Sequence, residues 1–303
     1  MASSRLTARL GDLELRTPLI AASGTVGAVW QWAEVASTAP FGAAVAKSVS
    51  PEPWPGRPAP RMAPTRAGML NGIGIQNPGI EAWIAVNAPR IVDLEVPVWG
   101  SAVAETPGGY ALVAKGLADA GLAAIEINLS CPNLDSGVMF SFDPDASRSV
   151  VDAVRRVTAL PIGAKLSPDS PDVVATASAC AEAGADFIVL TNTAAGFGVS
   201  LRTRRPLLSG GSGGYSGPGL KPISLRCVYE VHTAMPGLPI VGCGGVMTGA
   251  DVAEYLIAGA SAVAMGTLLL SDPSGGDRVL SQLIAVLEQL GIEGVAGLSL
   301  AGT

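Results

Sequence analysis

The stretch Asn128-Leu129-Ser130-Cys131-Pro132-Asn133 holds the densest group of chemically capable side chains in this 303-residue sequence. A thiol on a loop just past a strand end can exchange protons, and a neighbouring cation can hold its pKa near working pH. The flanking asparagines each offer a donor and an acceptor, which suits a ring carrying amide N–H and C=O groups. A free cysteine can equally pack as a small hydrophobe, so Cys131 taken alone supports both readings. Cys180 and Cys227 fall within helical patterns and Cys243 within a strand–loop, and for those three packing is the better reading.

Further polar residues end apolar runs: Lys47, Lys165, and Asn192 with Thr193. A barrel or sheet interior should be apolar, so a lysine there must reach a wet, charged site or be paired. Both outcomes are open for Lys47 and Lys165. Gly242-Cys243-Gly244-Gly245 and Met265-Gly266-Thr267 read as a phosphate site, because N–H groups without a Cβ in the way can converge on an anion. Val246–Ala250 then leads into a helix. Gly210–Gly219 is either a flexible loop or a segment that closes over a ligand.

Positioning these groups needs a repeated scaffold, and the sequence supplies one. Eight β-branched or apolar runs alternate with helical patterns: Pro18–Ala22, Ala43–Lys47, Val96–Ala102, Ala123–Asn128, Ile162–Leu166, Phe187–Thr191, Pro239–Gly242 and Ala262–Met265. That order predicts parallel βαβ units closing into an α/β (β/α)8 TIM barrel, with its site on the C-terminal face. In Asp145–Ala159, Val150, Val154 and Val157 share a face, with Asp145 or Ser147 as the cap. Ser170 and Pro171 open the next helix, which stops at Gly184. The leading LTARLGDLELRTP predicts a hairpin turning at Gly11-Asp12, a lid on the closed lower end. Ser48–Pro78 and Leu201–Lys221 are long Pro/Gly-rich excursions, predicted as functional loops on the C-terminal face. No composition shift divides the chain, so residues 1–303 read as one domain.

Composition removes several alternatives. A net charge of −6 with no basic run disfavours a nucleic-acid surface. The four cysteines form no CxxC pair, so the chain has no iron–sulfur or zinc ligand set of its own. The single histidine, His232, sits near a helix C-terminus and reads as a surface residue interacting with the helix dipole. Despite a hydrophobic content of 49%, uncharged stretches such as Tyr255 to Ser271 are interrupted by Gly and Ser, and the first residues lack an apolar export core. A soluble, cytoplasmic protein is expected.

NLSCPN, LNGIGIQNPG (Leu70–Gly79), AKLSPD (Ala164–Asp169), LTNT (Leu190–Thr193), YSGPGLKP (Tyr215–Pro222), GCGGV and MGT occur in collinear order, and together resemble the dihydroorotate dehydrogenase family. Cysteine rather than serine at position 131 resembles its class 1 members. The resemblance implies FMN-dependent oxidation of (S)-dihydroorotate to orotate in pyrimidine biosynthesis, with Cys131 removing the C5 proton. It implies that Lys47 contacts both flavin and the orotate carboxylate. Asn71, Asn128, Asn133, Asn192 and Thr193, with backbone from Gly72, Ile73, Gly74 and Ile75, would hold the pyrimidine. Ser23, Lys47, Ser48, Ser101, Asn128, Lys165, Ser216, Gly217, Gly244, Gly245, Gly266 and Thr267 would hold FMN. Ser101 departs from the pattern, since the family commonly has Asn there.

GIQNPG and the SGVMFSFDP loop are most similar to the NAD-linked class 1B catalytic subunit. That subunit pairs with a chain carrying FAD and a [2Fe–2S] cluster, implying a homodimer core within a heterotetramer. The fumarate-dependent homodimer, a related flavin barrel acting on another pyrimidine or unsaturated ring, and a non-catalytic scaffold barrel are the competing expectations. The last leaves Lys47, Asn71, Cys131 and Asn192 without a shared purpose.

Overall fold

A computed structural model describes residues 5–130 and 139–300. Cys131 and Asn133 lie outside the described residues. In chain order the strands are β1 (Ala8–Leu10), β2 (Leu13–Leu15), β3 (Leu19–Ala21), β4 (Ala43–Val45), β5 (Met62–Thr65), β6 (Gly68–Asn71), β7 (Val98–Ala102), β8 (Ala124–Asn128), β9 (Ile162–Leu166), β10 (Phe187–Leu190), β11 (Ala194–Gly196), β12 (Val199–Ser200), β13 (Arg205–Pro206), β14 (Gly213–Ser216), β15 (Ile240–Cys243) and β16 (Ala262–Met265). Eight of them close a parallel barrel in the order β10-β15-β16-β3-β4-β7-β8-β9. All eight expected strands are present, some a residue or two shorter than their apolar runs. Lys47 and Thr191 fall just past the ladder, where the backbone turns towards the barrel mouth.

The barrel strands read as nearly continuous apolar runs because both faces are covered. Side chains alternate between faces. Ile20, Val45, Trp99, Phe187, Val189 and Val241 share the lumen cluster. Leu19, Val98, Ile125, Ile127, Ile162 and Ile188 instead join the outer cluster with helix residues such as Leu117, Val150, Val154 and Leu283. Trp99 and Phe187 lie with ring centroids 5.2 Å apart and fill the lumen. Gly163 makes room for them, since a Cβ there would lie 2.1 Å from the Phe187 ring. The hairpin of β1 and β2 pairs Leu10 with Leu13, and Leu10 and Leu15 plug into the lumen cluster. A Cβ on Gly11 would lie 3.6 Å from Pro239, just ahead of β15, so the hairpin closes the N-terminal end as expected.

Two helix caps differ from expectation. Asp143, not Asp145 or Ser147, caps helix Pro144–Arg155 by accepting from the N–H groups of Asp145 and Ala146. Pro144 suits the first helical position, which moves the start earlier. Asp172, not Ser170, caps Val173–Glu182, accepting from the Ala175 N–H at 2.8 Å. The Ser170 hydroxyl is engaged instead with Thr176 at 3.3 Å. The helix does give way at Gly184, whose φ is +103°. His232 is half-buried rather than a surface residue, and its buried Nδ1 has no hydrogen-bond partner. Its ring reaches inward because Gly259 carries no Cβ, which would lie 2.1 Å from the imidazole.

The largest difference concerns the two excursions. They contribute paired strands to a four-stranded sheet, ordered β11-β14-β6-β5, over the barrel mouth. Antiparallel register joins Tyr215 to Leu70 and Met62 to Asn71. Pro64 is tolerated because β5 is an edge strand. The glycine-rich run supplies the inner strand β14, not a flexible loop. A Cβ on Gly213 would lie 2.3 Å from the Asn71 carbonyl oxygen, and one on Gly214 would lie 2.1 Å from the Thr193 hydroxyl. Ala63, Leu70 and Leu208 form a small apolar core beneath this roof.

Candidate active site

One cavity occupies the space between the barrel mouth and the roof sheet. Lys47, Ser48, Asn128, Lys165, Asn192, Thr193 and Cys243 line it from the barrel side. Met62, Met69, Asn71, Ile73 and Ile75 line it from the excursion after β4. Ser23, Ser216, Gly217, Gly244, Gly245, Gly266 and Thr267 complete the wall. The structure thus gathers most of the residues named from sequence around one space. Three do not line it: Gly72, Gly74 and Ser101. The Gly72 N–H is committed to the Arg61 carbonyl. A Cβ on Gly74 would press on the Arg57 backbone at 2.7 Å. Ser101 is buried behind Ser48, their hydroxyl oxygens 2.8 Å apart.

The asparagines form a connected set. Asn192 Nδ2 donates to Asn128 Oδ1 at 3.3 Å and to the Ser130 carbonyl at 3.2 Å, while its Oδ1 accepts the Thr193 N–H at 2.8 Å. Asn128 Nδ2 donates to the Ser48 hydroxyl at 3.3 Å. This network fixes the amides and holds the chain at Ser130, the last described residue before Cys131. On the roof side, Asn71 Nδ2 reaches the Gly214 carbonyl at 3.4 Å.

Lys165 and Glu126 form an ion pair at 3.5 Å, both side chains nearly fully buried. The two outcomes considered for Lys165 coincide: it is paired, and it also lines the cavity. Burial works against its ammonium, but the Glu126 carboxylate outweighs that and the net shift is upward. Burial likewise pushes up the Cys243 thiol, opposed in part by Lys165. The Cys180 thiol is raised to about 12 by burial, so it stays protonated and inert.

At the other end, the N–H groups of Gly244, Gly245 and Gly266 have no acceptor among the described residues. Gly245 has φ +69°, and a Cβ there would lie 2.9 Å from the Gly217 carbonyl oxygen. Free donors in a cradle that a Cβ would fill suit a phosphate. Tyr255 holds the turn by donating to the Gly244 carbonyl at 2.7 Å. Asp251 then ties the following helix: it accepts from Met247 N, Thr248 N and the Thr248 hydroxyl, and pairs with Lys221 at 2.5 Å.

Burial raises the Asp251 pKa, but Lys221 and these donors prevail and hold it below 3.8. A depressed carboxyl stabilises the fold above its unfolded value, and that contribution disappears as pH falls below 3.8. Asp251→Asn is therefore expected to cost about 2 kcal/mol at pH 7. Urea melts of both proteins should converge as pH falls through that range; a constant difference would count against the assignment.

Sequence reasoning missed Glu126, Asn77, Tyr255 and Asp251. Glu126 carried the same signal as the lysines, a charge inside the apolar run AAIEIN. Asn77 is a hub of the excursion after β4, bonding Ser50, the Ile75 carbonyl and the Gly79 N–H. It supports Ile75 at φ +55°, an unusual value for a β-branched residue.

A cavity at the C-terminal mouth of a (β/α)8 barrel, with unengaged N–H groups beyond its last two strands, sits where enzymes of the (β/α)8-barrel class build their active sites. The family model described as "Dihydroorotate dehydrogenase" matches residues 5–287, and the chain belongs to that family. A catalytic subunit of dihydroorotate dehydrogenase B (NAD(+)) from Listeria monocytogenes serotype 4a is 39% identical over 291 residues, covering 95% of each chain. One from Pelobacter propionicus is 41% identical over 295 residues, covering 97% of each. A solved dihydroorotate dehydrogenase from Eimeria tenella superposes with a TM-score of 0.82 at 22% identity, covering 98% of this chain and 88% of that one, and shares the fold. Among the described residues no helix is long and apolar enough to cross a membrane.

Proposed function

We propose that this chain is the catalytic subunit of an NAD-linked dihydroorotate dehydrogenase, oxidising (S)-dihydroorotate to orotate with FMN as its flavin. The carrying observation is that Lys47, Asn71, Asn128, Asn192 and Thr193 share one cavity with a glycine cradle. This places a cation suited to a carboxylate and amides suited to a uracil-like ring beside N–H donors suited to a phosphate. Bound FMN would supply the two-electron acceptor for hydride leaving C6.

The chain's own residues do the rest. Cys131 takes the C5 proton. Asn71, Asn128, Asn133, Asn192 and Thr193, with the backbone of Ile73 and Ile75, orient the ring so that both C–H bonds are held for reaction. Lys47 balances the substrate carboxylate. Ser23, Ser48, Lys165, Ser216, Gly217, Gly244, Gly245, Gly266 and Thr267 hold the flavin, and Ser101 acts through Ser48. The roof residues Met62 and Met69 limit water. Residues 1–303 act as one cytoplasmic domain, in a homodimer core that binds a subunit carrying FAD and [2Fe–2S] to pass electrons to NAD. The similarity to catalytic subunits of NAD(+)-linked dihydroorotate dehydrogenases supports the subunit and the acceptor.

Purification with and without a co-expressed flavin/iron–sulfur subunit tests this reading. The expected protein is yellow, releases FMN on denaturation, and reduces NAD with dihydroorotate only when the partner is present. A chain that stays colourless after FMN reconstitution overturns the proposal. Reoxidation of the isolated reduced chain by fumarate would assign it to the homodimeric, fumarate-using type.

A further inference from the structure

Glu126 is an unexpected residue in the lumen of a barrel. It lies on β8 two residues past Ala124, which pairs with Trp99 and joins the lumen cluster; it is 3% exposed and lies beside Lys165 of the neighbouring strand. Lys165 lines the cavity, whereas Glu126 does not. Its route to the site therefore runs through the lysine. A buried ion pair is weak support for stability, because hydrophobic replacements of the same volume often serve as well. The pair needs another reason to exist, and the cavity above it supplies one.

We propose that Glu126 is a positioning residue: it holds the Lys165 side chain charged and fixed in the cavity floor, where the ammonium faces the bound flavin. The inference rests on the flavin site proposed above and adds a residue that contacts neither flavin nor substrate. The groups facing Lys165 are Glu126 from β8 and Cys243 from β15, with Lys47 lining the same cavity from beyond β4. Of these, only Glu126 offers a carboxylate. Without it, desolvation favours the neutral amine. Lys165 should then lose its proton within an accessible range, and with it the charge presented to the flavin.

The test uses FMN-loaded protein carrying Glu126→Gln, an isosteric change. Flavin absorbance and FMN dissociation constant are followed across pH. In the parent protein no step from Lys165 is expected, because the Glu126 carboxylate beside it keeps the ammonium charged. In Glu126→Gln a new titration step is expected at lower pH than any Lys165 step in the parent, with FMN affinity at least about tenfold weaker on its alkaline side. The step should vanish in Glu126→Gln/Lys165→Met and should be absent in Glu126→Asp, which keeps the charge. Flat profiles in Glu126→Gln, or a step that survives in the double variant, overturn the proposal. If Glu126→Gln does not fold, Glu126→Asp and Lys165→Met decide it: Lys165→Met must weaken FMN binding at neutral pH while Glu126→Asp retains it, and equal affinities overturn the role. A parent protein that takes up no FMN would sink the flavin reading itself, a separate outcome.

Discussion

Replacing Cys131 with alanine lowers the rate of flavin reduction by dihydroorotate about 10²–10⁴-fold, the span typical for loss of a positioned general base. The purified variant stays yellow, because the proposed flavin contacts do not include the thiol. Cys131→Ser falls in the same range at neutral pH, since a hydroxyl is a far poorer proton acceptor than a thiolate. Cys131 lies outside the described residues, yet its attachment point is well defined. Asn192 and Asn128 hold one another, and Asn192 also binds the Ser130 carbonyl. Stopped-flow absorbance of the flavin, with substrate mixed anaerobically, gives the number. A variant that reduces its flavin within threefold of the parent would remove Cys131 from the mechanism.

Gly245→Ala should strip the protein of its flavin. Residue 245 has φ +69°, and a new Cβ would lie 2.8 Å from both the Cβ and backbone nitrogen of Lys221 and 2.9 Å from the Gly217 carbonyl oxygen. An L-residue in this left-handed conformation costs about 1–2 kcal/mol before any contact is counted. Those neighbours are largely backbone, so the turn itself must move and its free N–H groups lose their aim. FMN affinity is expected to fall about 10–100-fold, measured by fluorescence titration of the stripped protein; this corresponds to roughly 1.4–2.8 kcal/mol. Gly237→Ala is the matched control, because a Cβ there meets nothing within 4 Å. Equal flavin retention in both variants would dissociate the glycine turn from the phosphate.

The eight barrel strands were legible because parallel strands covered on both faces write themselves as unbroken apolar runs. Charged and polar residues at the ends of those runs then marked the site, as Lys47, Lys165 and Asn192 show. Glu126 should have been read by the same rule. It was hidden because the more conspicuous Asn128 and Cys131 follow it closely in the sequence. The roof was illegible for a different reason. β14 is built on Gly213 and Gly214, chosen for close approach to Asn71 and Thr193, and the same letters spell a flexible loop. Strand pairing between distant segments leaves no periodic trace when side chains are absent. The helix caps at Asp143 and Asp172 were missed by two positions or more, where several nearby residues were chemically able to cap.

The roof joins two stretches of chain with half of the barrel strands between them: Leu70 pairs with Tyr215, and Asn71 with Gly214. The consequence is kinetic. Such contacts have high sequence separation, and the loop entropy they cost must be met before they return any stabilisation. During synthesis β6 emerges early and waits, its edge unpaired, until β14 has left the ribosome. An interrupted chain that stops before Gly213 would carry barrel strands and the Asn128 end of the site, but an open-topped vessel with nowhere to enclose a ligand.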